Sequence, residues 1–198
     1  MATGTGEAGT RLGREREAAR VFRLDNEHLA FRYTATLSDR AGSAPFERLT
    51  TPARLRLWLA ANRLDPGRDA TEEELAAAIA LREAIYRLGA ATATGDPRSP
   101  RDIAVLNSAA SKRPALELAE EGMRWRLAGA DAVHAALAVV AHDAITLLGG
   151  EDAGRVKTCD GPDCAGLYLD TSRGGNRRWC SMNTCGNKNK KTRMRTRP

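Results

Sequence analysis

The sequence predicts an α+β protein in two parts: a domain of mixed helices and hairpins, followed by a small cysteine-rich unit. Apolar residues recur with helical or alternating periods as far as about residue 150. Beyond that point the chain consists mainly of Cys, Gly, Asn, Arg and Lys, and it contains all four cysteines. We therefore divide the chain into a flexible leader, an α+β domain and a cysteine-rich unit, at residues 1–20, 21–150 and 151–198.

The first half of the α+β domain is predicted to contain a hairpin and then two helices. Apolar residues alternate on both sides of the turn-like segment Asp25-Asn26-Glu27, which is typical of a β-hairpin over about residues 21–37. Thr51-Pro52 is a usual helix start, because threonine caps the helix and proline fits its first turn. Thr71 and Glu74 have the spacing of a capping box. Helices are expected to begin at both places.

The second half is predicted to contain two helices around a second hairpin. Ser99-Pro100 begins a short helix, and Glu120-Glu121-Gly122 is the turn of the hairpin. Residues 131–148 form a long alanine-rich helix that Gly149-Gly150 ends. We find no run of about eighteen apolar residues and no apolar stretch typical of a secretory signal at the N-terminus. A cytoplasmic protein is therefore expected.

Basic residues are concentrated at the C-terminal end. Nine lysines and arginines follow Asp170, and no acid follows it. Removing these nine from the 31 basic residues leaves 22 against 25 acids, so the last 28 residues alone make the protein basic. A charge cluster of one sign attracts polyanions. The alternative is a solvated tail that only aids solubility.

The four cysteines form two close pairs with the spacing C-x4-C, x15, C-x4-C. Two pairs joined by a longer loop are typical of tetrahedral zinc, because each pair supplies two ligands from one turn. Asp160-Gly161-Pro162-Asp163 has strong turn chemistry within the first pair. The sequence therefore predicts one structural Zn2+ site. Its ligands are Cys159, Cys164, Cys180 and Cys185.

Two other uses of these cysteines are open at this point. Disulfides need an oxidising compartment, which the lack of an export signal argues against. Zinc thiolates can be oxidised, so a redox switch also fits the same residues. Four thiolates leave no open coordination position, and catalysis by the metal is therefore not expected.

The rest of this unit predicts a treble-clef-like zinc finger, in which a hairpin precedes a basic helix. Leu167-Tyr168-Leu169 is expected to be one strand of the hairpin, and residues 177–179 lead from the other side into Cys180. Trp179 is expected to pack within the finger. The chain from Met182 onward can be helical. A unit of this size cannot bury enough surface to fold alone, so zinc must stabilise it.

The cysteine-rich unit resembles the CGNR zinc finger, named for the tetrapeptide that contains its last ligand. The resemblance covers about residues 153–197, with Lys188 where the family has Arg. It rests on Arg155-Val156-Lys157-Thr158-Cys159, Cys164, Tyr168-Leu169-Asp170-Thr171-Ser172, Arg178-Trp179-Cys180-Ser181-Met182 and Cys185-Gly186-Asn187-Lys188.

Residues 20–150 resemble the ABATE domain of stress-responsive bacterial transcription regulators. The resemblance rests on Leu29-Ala30-Phe31-Arg32-Tyr33-Thr34 and on residues 51–64 with their Trp-Leu pair. It implies DNA-binding regulation, with an N-terminal domain that senses a small-molecule effector or forms a homodimer.

These observations favour a zinc-dependent DNA-binding regulator. The alternatives are an RNA- or ribosome-binding zinc protein and an enzyme in the N-terminal domain. We do not expect an enzyme, because we find no pair of nucleophile and base, no phosphate-binding glycine loop and no second metal cluster. The predicted nucleic-acid contacts are Arg177, Arg178, Lys188, Lys190, Lys191, Arg193, Arg195 and Arg197.

Overall fold

The computed structural model describes residues 13–190 except residues 15, 113, 121 and 128. It is mainly helical, with three small antiparallel sheets of two strands each. The helices are α1 Leu29–Thr34, α2 Pro52–Ala61, α3 Glu72–Thr94, α4 Pro100–Ala110 and α5 Ala132–Gly149. The strands are β1 Leu37–Ser38, β2 Phe46–Glu47, β3 Ala115–Ala119, β4 Gly122–Arg126, β5 Val156–Thr158 and β6 Leu167–Leu169. The α+β class is thus confirmed.

Both helix starts predicted in the first half of the domain are confirmed. The Thr51 hydroxyl accepts the backbone N–H of Arg54 at 3.2 Å at the start of α2. At the start of α3, the Thr71 hydroxyl accepts the N–H of Glu74, and the Glu74 carboxylate accepts the N–H of Thr71. These bonds satisfy backbone donors that the first turn of a helix leaves without a partner.

The prediction of a hairpin over residues 21–37 is wrong, because Leu29–Thr34 forms α1. The first turn of α1 is held from another element: the N–H of Ala30 donates to the Asp143 carboxylate of α5 at 2.7 Å. Four of the six residues of α1 are buried. Because most sides of this short helix are covered, its apolar residues do not show a helical period, and the sequence pattern resembles that of a strand. Tyr33 is one of them, and its hydroxyl donates to the Ala78 carbonyl at 2.7 Å.

The N-terminal end of the described chain also differs from the predicted flexible leader. Residues 16–21 are helical, and Ala18 is buried in the main core. The leader up to residue 12 lies outside the described residues.

The second half of the domain follows the prediction. Helix α4 begins at Pro100, and β3 pairs with β4 in an antiparallel hairpin. Helix α5 has the length and composition of a membrane-crossing helix. Eleven of its residues are buried in the fold, which is also what the core helix of a folded domain requires.

The main core includes the cysteine-rich unit. Val156, Leu167 and Leu169 belong to the same buried cluster as residues of α1, α2, α3 and α5. A Cβ built on Gly89 of α3 would lie 2.4 Å from a methyl carbon of Leu167, so the two elements approach as closely as a glycine allows. The cysteine-rich unit therefore packs directly on the helical domain.

Candidate metal centre and basic surface

The first cysteine pair lies on a tight turn closed by backbone hydrogen bonds. The N–H of Cys164 donates to the Gly161 carbonyl at 2.9 Å, and the N–H of Cys159 donates to the Gly166 carbonyl at 2.9 Å. In the second pair, Cys180 precedes the π-helix Met182–Gly186 and Cys185 lies within it. These local turns bring the two cysteines of each pair together.

The four sulfur atoms converge on one buried point. All four Sγ atoms lie within 4.8 Å of one another, and all four cysteines are buried. The Sγ of Cys180 is 3.6 Å from that of Cys164 and 3.7 Å from that of Cys185. A tetrahedron with Zn–S bonds of about 2.3 Å has S–S edges of about 3.8 Å. A disulfide needs about 2.05 Å. The geometry therefore fits a closed tetrathiolate zinc site, with the thiols of the described structure unpaired.

Two glycines leave room for the sulfur atoms. A Cβ built on Gly161 would lie 3.0 Å from the Cβ of Cys164 and 3.5 Å from the Sγ of Cys159. A Cβ on Gly166 would lie 3.3 Å from the Sγ of Cys164. Each glycine follows a ligand by two residues, a sequence signal that could have identified both positions.

The N-terminal domain supplies a cation to the metal centre. The Nη2 of Arg23 donates to the Sγ of Cys180 at 3.5 Å. Burial opposes the charge on Arg23, but the attraction of the cysteine sulfurs, Cys180 foremost, raises the pKa of this guanidinium above its usual value. Zn2+ with four thiolates carries a net charge of −2, which such a cation offsets.

Other contacts hold the first cysteine turn against the helical domain. The N–H of Arg40 donates to the Cys164 carbonyl at 3.3 Å, and the N–H of Ala41 donates to the Asp163 carbonyl at 3.1 Å. The Tyr86 hydroxyl of α3 donates to the Ala165 carbonyl at 3.1 Å. Ala165 has a φ of 47°, which costs energy for any residue with a Cβ. The helical domain thus stabilises a strained turn of the metal centre.

The strand pairing inside the finger corrects the sequence prediction. Strand β6 pairs with β5, with Val156 opposite Leu169. Residues 177–179 are not its partner strand. They are held instead by isolated hydrogen bonds: the Tyr168 hydroxyl donates to the Arg177 carbonyl, and the N–H of Asp160 donates to the Arg178 carbonyl at 3.0 Å. Strand β5 is the partner because Val156 and Leu169 both join the main core.

Asp170 organises the loop between the two cysteine pairs. Its carboxylate accepts hydrogen bonds from Lys157 at 2.7 Å, from the Ser172 hydroxyl and N–H, and from the Arg177 N–H at 3.0 Å. The bonds from Lys157 and Ser172 hold the pKa of Asp170 well below its usual value. A buried carboxylate with this many donors stays ionised and fixes the loop.

Arg177 has a structural role that the sequence did not reveal. Its guanidinium donates to the carbonyls of Trp179 at 2.9 Å and Cys180 at 2.7 Å. It also lies 4.9 Å from the centre of the Tyr168 ring. Trp179 packs against the cysteine cluster, as expected. Arg177 therefore fixes the chain that leads into the third ligand.

The other predicted nucleic-acid residues lie at the surface where they are described. Arg178 and Lys188 have side chains 62% and 58% exposed, and Lys190 is exposed. Arg178 pairs with Asp160 at 2.8 Å and Lys188 with Asp163 at 2.9 Å. Lys191, Arg193, Arg195 and Arg197 lie outside the described residues.

The fold and site define the protein as a helical α+β domain that carries a tetracysteine zinc finger. Residues 27–151 match the ABATE family, described as "Putative stress-induced transcription regulator", and the chain belongs to this family. Residues 155–198 match the CGNR zinc finger. A search of curated proteins found no match. Both sequence resemblances are thereby confirmed.

Proposed function

We propose that this protein is a zinc-dependent, DNA-binding transcription regulator whose finger and basic C-terminal segment contact DNA. The observation that carries the proposal is the position of Cys185. This last ligand lies in the π-helix that continues into helical residues 187–190. Six cations follow it within residues 188–197, and no acid does. The metal centre therefore anchors the segment that bears the charge.

The charge balance within the finger points to the same segment. Three cations of the finger, Lys157, Arg178 and Lys188, each pair with an aspartate, and the thiolates add negative charge. The excess positive charge is therefore concentrated in residues 190–197. Lysine- and arginine-rich segments contact mainly phosphates, which gives an affinity that falls steeply with salt.

Deleting residues 188–198 tests the proposal. The truncated protein is expected to lose binding to duplex DNA in a gel-shift titration, while it keeps one zinc per chain and the fold of residues 20–150. The logarithm of the binding constant of the full chain should fall with log salt with a slope of about −0.9 per phosphate contact. Unchanged DNA binding by the truncated protein would defeat the proposal.

A matched pair of substitutions separates local contacts from net charge. The variant with Lys190→Gln and Lys191→Gln should bind more weakly and show a shallower salt slope. The control with Arg16→Gln and Arg20→Gln removes the same charge from exposed positions of the helical segment at residues 16–21. It should bind nearly as the wild type does. Equal losses in the two variants would point to net charge alone.

Competition between nucleic acids decides which one the finger binds. Duplex DNA is expected to compete better than structured RNA of the same length at the same salt concentration. Selection from a pooled DNA and RNA library would then identify the target. A preference for RNA would replace this proposal with the RNA-binding alternative.

We assign a sensing or dimerising role, and no catalytic one, to the N-terminal domain. Its groove of about 650 Å3 supports this assignment, because small and apolar side chains such as Ala77, Ala104 and Val105 predominate in its lining. Ser108, Ser111 and His134 are polar exceptions in this lining, and the assignment rests on its apolar majority. A hydrolase or transferase activity that survives deletion of the finger would contradict the assignment.

A further inference from the structure

The β3–β4 hairpin has an apolar face that the described protein leaves uncovered. Leu116 lies opposite Trp125 and Leu118 opposite Met123, so all four side chains share one face. Leu118 is 88% exposed, Met123 65% and Leu116 52%. Trp125 packs partly against the main core and anchors the base of the hairpin. Adjacent large apolar side chains at this exposure typically mark an interaction surface.

The opposite face of the hairpin is polar. Glu117 accepts a hydrogen bond from Arg124 at 2.7 Å and lies 3.9 Å from the Nε of Arg126. A hairpin of two strands is only marginally stable in water unless one face is buried. The sorting of charged and apolar residues onto two faces therefore indicates that the apolar face is buried in the working protein.

A groove of suitable chemistry lies on the same domain. Helices α3, α4 and α5 enclose about 650 Å3, a volume that accepts several aliphatic side chains. Leu81, Val105 and Leu137 line it, one from each helix. Arg101 and Lys112 also line it and are exposed. Lys112 is paired with Asp131 at 2.7 Å, so the positive charge that the groove offers comes mainly from Arg101.

We propose that the occupant of this groove is the hairpin of a second copy of the chain. In this dimer Leu118 and Met123 of one protomer fill the groove of its partner, and the exchange is mutual. The hairpin does not fill its own groove, because Leu118 is almost fully exposed. Glu120, exposed at the hairpin turn, complements Arg101 of the groove.

The chain order favours a two-fold arrangement. Lys112 lines the groove and precedes β3 by only a few residues, so the inserting and receiving surfaces lie side by side on one protomer. Adjacent, complementary surfaces allow a closed and symmetric interface. Such a dimer would present two zinc fingers, and two linked binding modules raise affinity for a target with two half-sites.

Sedimentation equilibrium of the full-length zinc-bound protein tests the dimer. Leu118→Glu and Met123→Glu are each expected to raise the dimer dissociation constant at least about 30-fold, the size of an interface hot spot. Ala104→Arg, which fills the groove from α4, should act in the same direction. Phe46→Glu is the matched control, since Phe46 is 58% exposed on β2, and it should leave the dimer unchanged.

Cross-linking identifies which surfaces meet. Leu118→Cys in one preparation and Ala104→Cys in another should form a heterodimer with a short bismaleimide only when the two are mixed. The zinc-bound wild-type protein, treated with the same bismaleimide, is the control for cross-links formed by the native cysteines. Monomeric wild-type protein at high micromolar concentration would overturn the proposal. So would a dimer that none of the three surface variants weakens, or a small molecule found bound to monomeric protein by native mass spectrometry and displaced by Ala104→Arg.

Discussion

Arg23 donates a hydrogen bond to the Sγ of Cys180 across a sequence separation of 157 residues. This contact places a positive charge of the N-terminal domain next to a sulfur atom of the metal centre. Because a zinc tetrathiolate has a net negative charge, a half-buried guanidinium beside one sulfur stabilises the deprotonated ligand set. We therefore expect metal binding and the packing of the two parts to be coupled.

The first prediction concerns Arg23 itself. Arg23→Met should lower zinc affinity by about 10- to 100-fold, the usual effect of losing a hydrogen bond to a ligand. The measurement is competition with a chromophoric chelator at neutral pH under reducing conditions. Arg23→Lys should recover part of the affinity, because it restores the charge without the planar donor.

Arg20→Met is the control for that experiment, since Arg20 is exposed three residues away. It should leave zinc affinity close to the wild-type value. Equal affinities for all these variants would show that the Arg23 contact does not act on the metal.

The second prediction concerns metal removal. Because Val156, Leu167 and Leu169 belong to the main core, chelation should destabilise the whole described domain and not only the finger. Saturating zinc at about 1,000 times its dissociation constant contributes about 4 kcal/mol, which corresponds to a Tm change of about 10 °C in a protein of this size. Differential scanning calorimetry should show one transition that shifts as a unit, and Zn2+ but not Mg2+ should restore it. Two transitions, only one of them sensitive to zinc, would mean that the two parts fold independently.

The third prediction concerns the contact between α3 and the finger. Gly89→Ala places a Cβ 2.4 Å from the buried Leu167 side chain, so that side chain or the helix must move. Overpacking of this kind costs about 1–3 kcal/mol, and replacing a helical glycine by alanine gains only about 0.5–1 kcal/mol, so the cost outweighs the gain over most of this range. Urea unfolding should therefore show a destabilised variant.

Gly149→Ala supplies the matched comparison, because a Cβ there meets nothing within 4 Å. It should be neutral or slightly stabilising. A stabilised Gly89→Ala variant would show that the finger does not pack against α3 as described.

The fourth prediction concerns acid sensitivity. Arg82 is 2% exposed and donates to both carboxylate oxygens of Glu47 at 2.7 Å and to Glu83 at 2.8 Å. Burial raises the pKa of both glutamates, but hydrogen bonds from Arg82 to Glu47 and from Arg40 to Glu83 outweigh it, so both values lie below the usual 4.5. Their stabilising contribution is therefore complete above about pH 4.5 and is lost as the pH falls through the lowered values.

Urea unfolding between pH 3 and pH 7 measures this dependence. Glu47→Gln should reduce the free energy of unfolding at pH 7, because it leaves a buried guanidinium without its main partner. It should also make the acid branch, the decrease in the free energy of unfolding as the pH falls toward 3, less steep. Glu73→Gln, at an exposed position of α3, is the control and should keep the wild-type acid branch. An unchanged acid branch in Glu47→Gln would contradict the assignment.

Local chemistry made a large part of this protein predictable. The capping box at Thr71 and the Thr51 cap each depend on residues within three positions of one another, so the sequence contains the whole interaction. The tetracysteine site was predictable for a related reason. All four ligands are cysteines, and they form two pairs of equal spacing. Such a pattern is typical of tetrahedral zinc coordination, so the sequence alone indicates the site.

The sequence by itself determined the helix starts, the second hairpin and the four ligands. Only the tertiary structure decided that Leu29–Thr34 is a helix, that β6 pairs with β5, that Arg177 braces the finger and that Arg23 faces Cys180. The physical reason is that a local sequence pattern indicates which residues are buried, but not which distant segments pack against them. A short apolar segment fits a strand or an enclosed helix equally well, and packing between distant segments selects one of them.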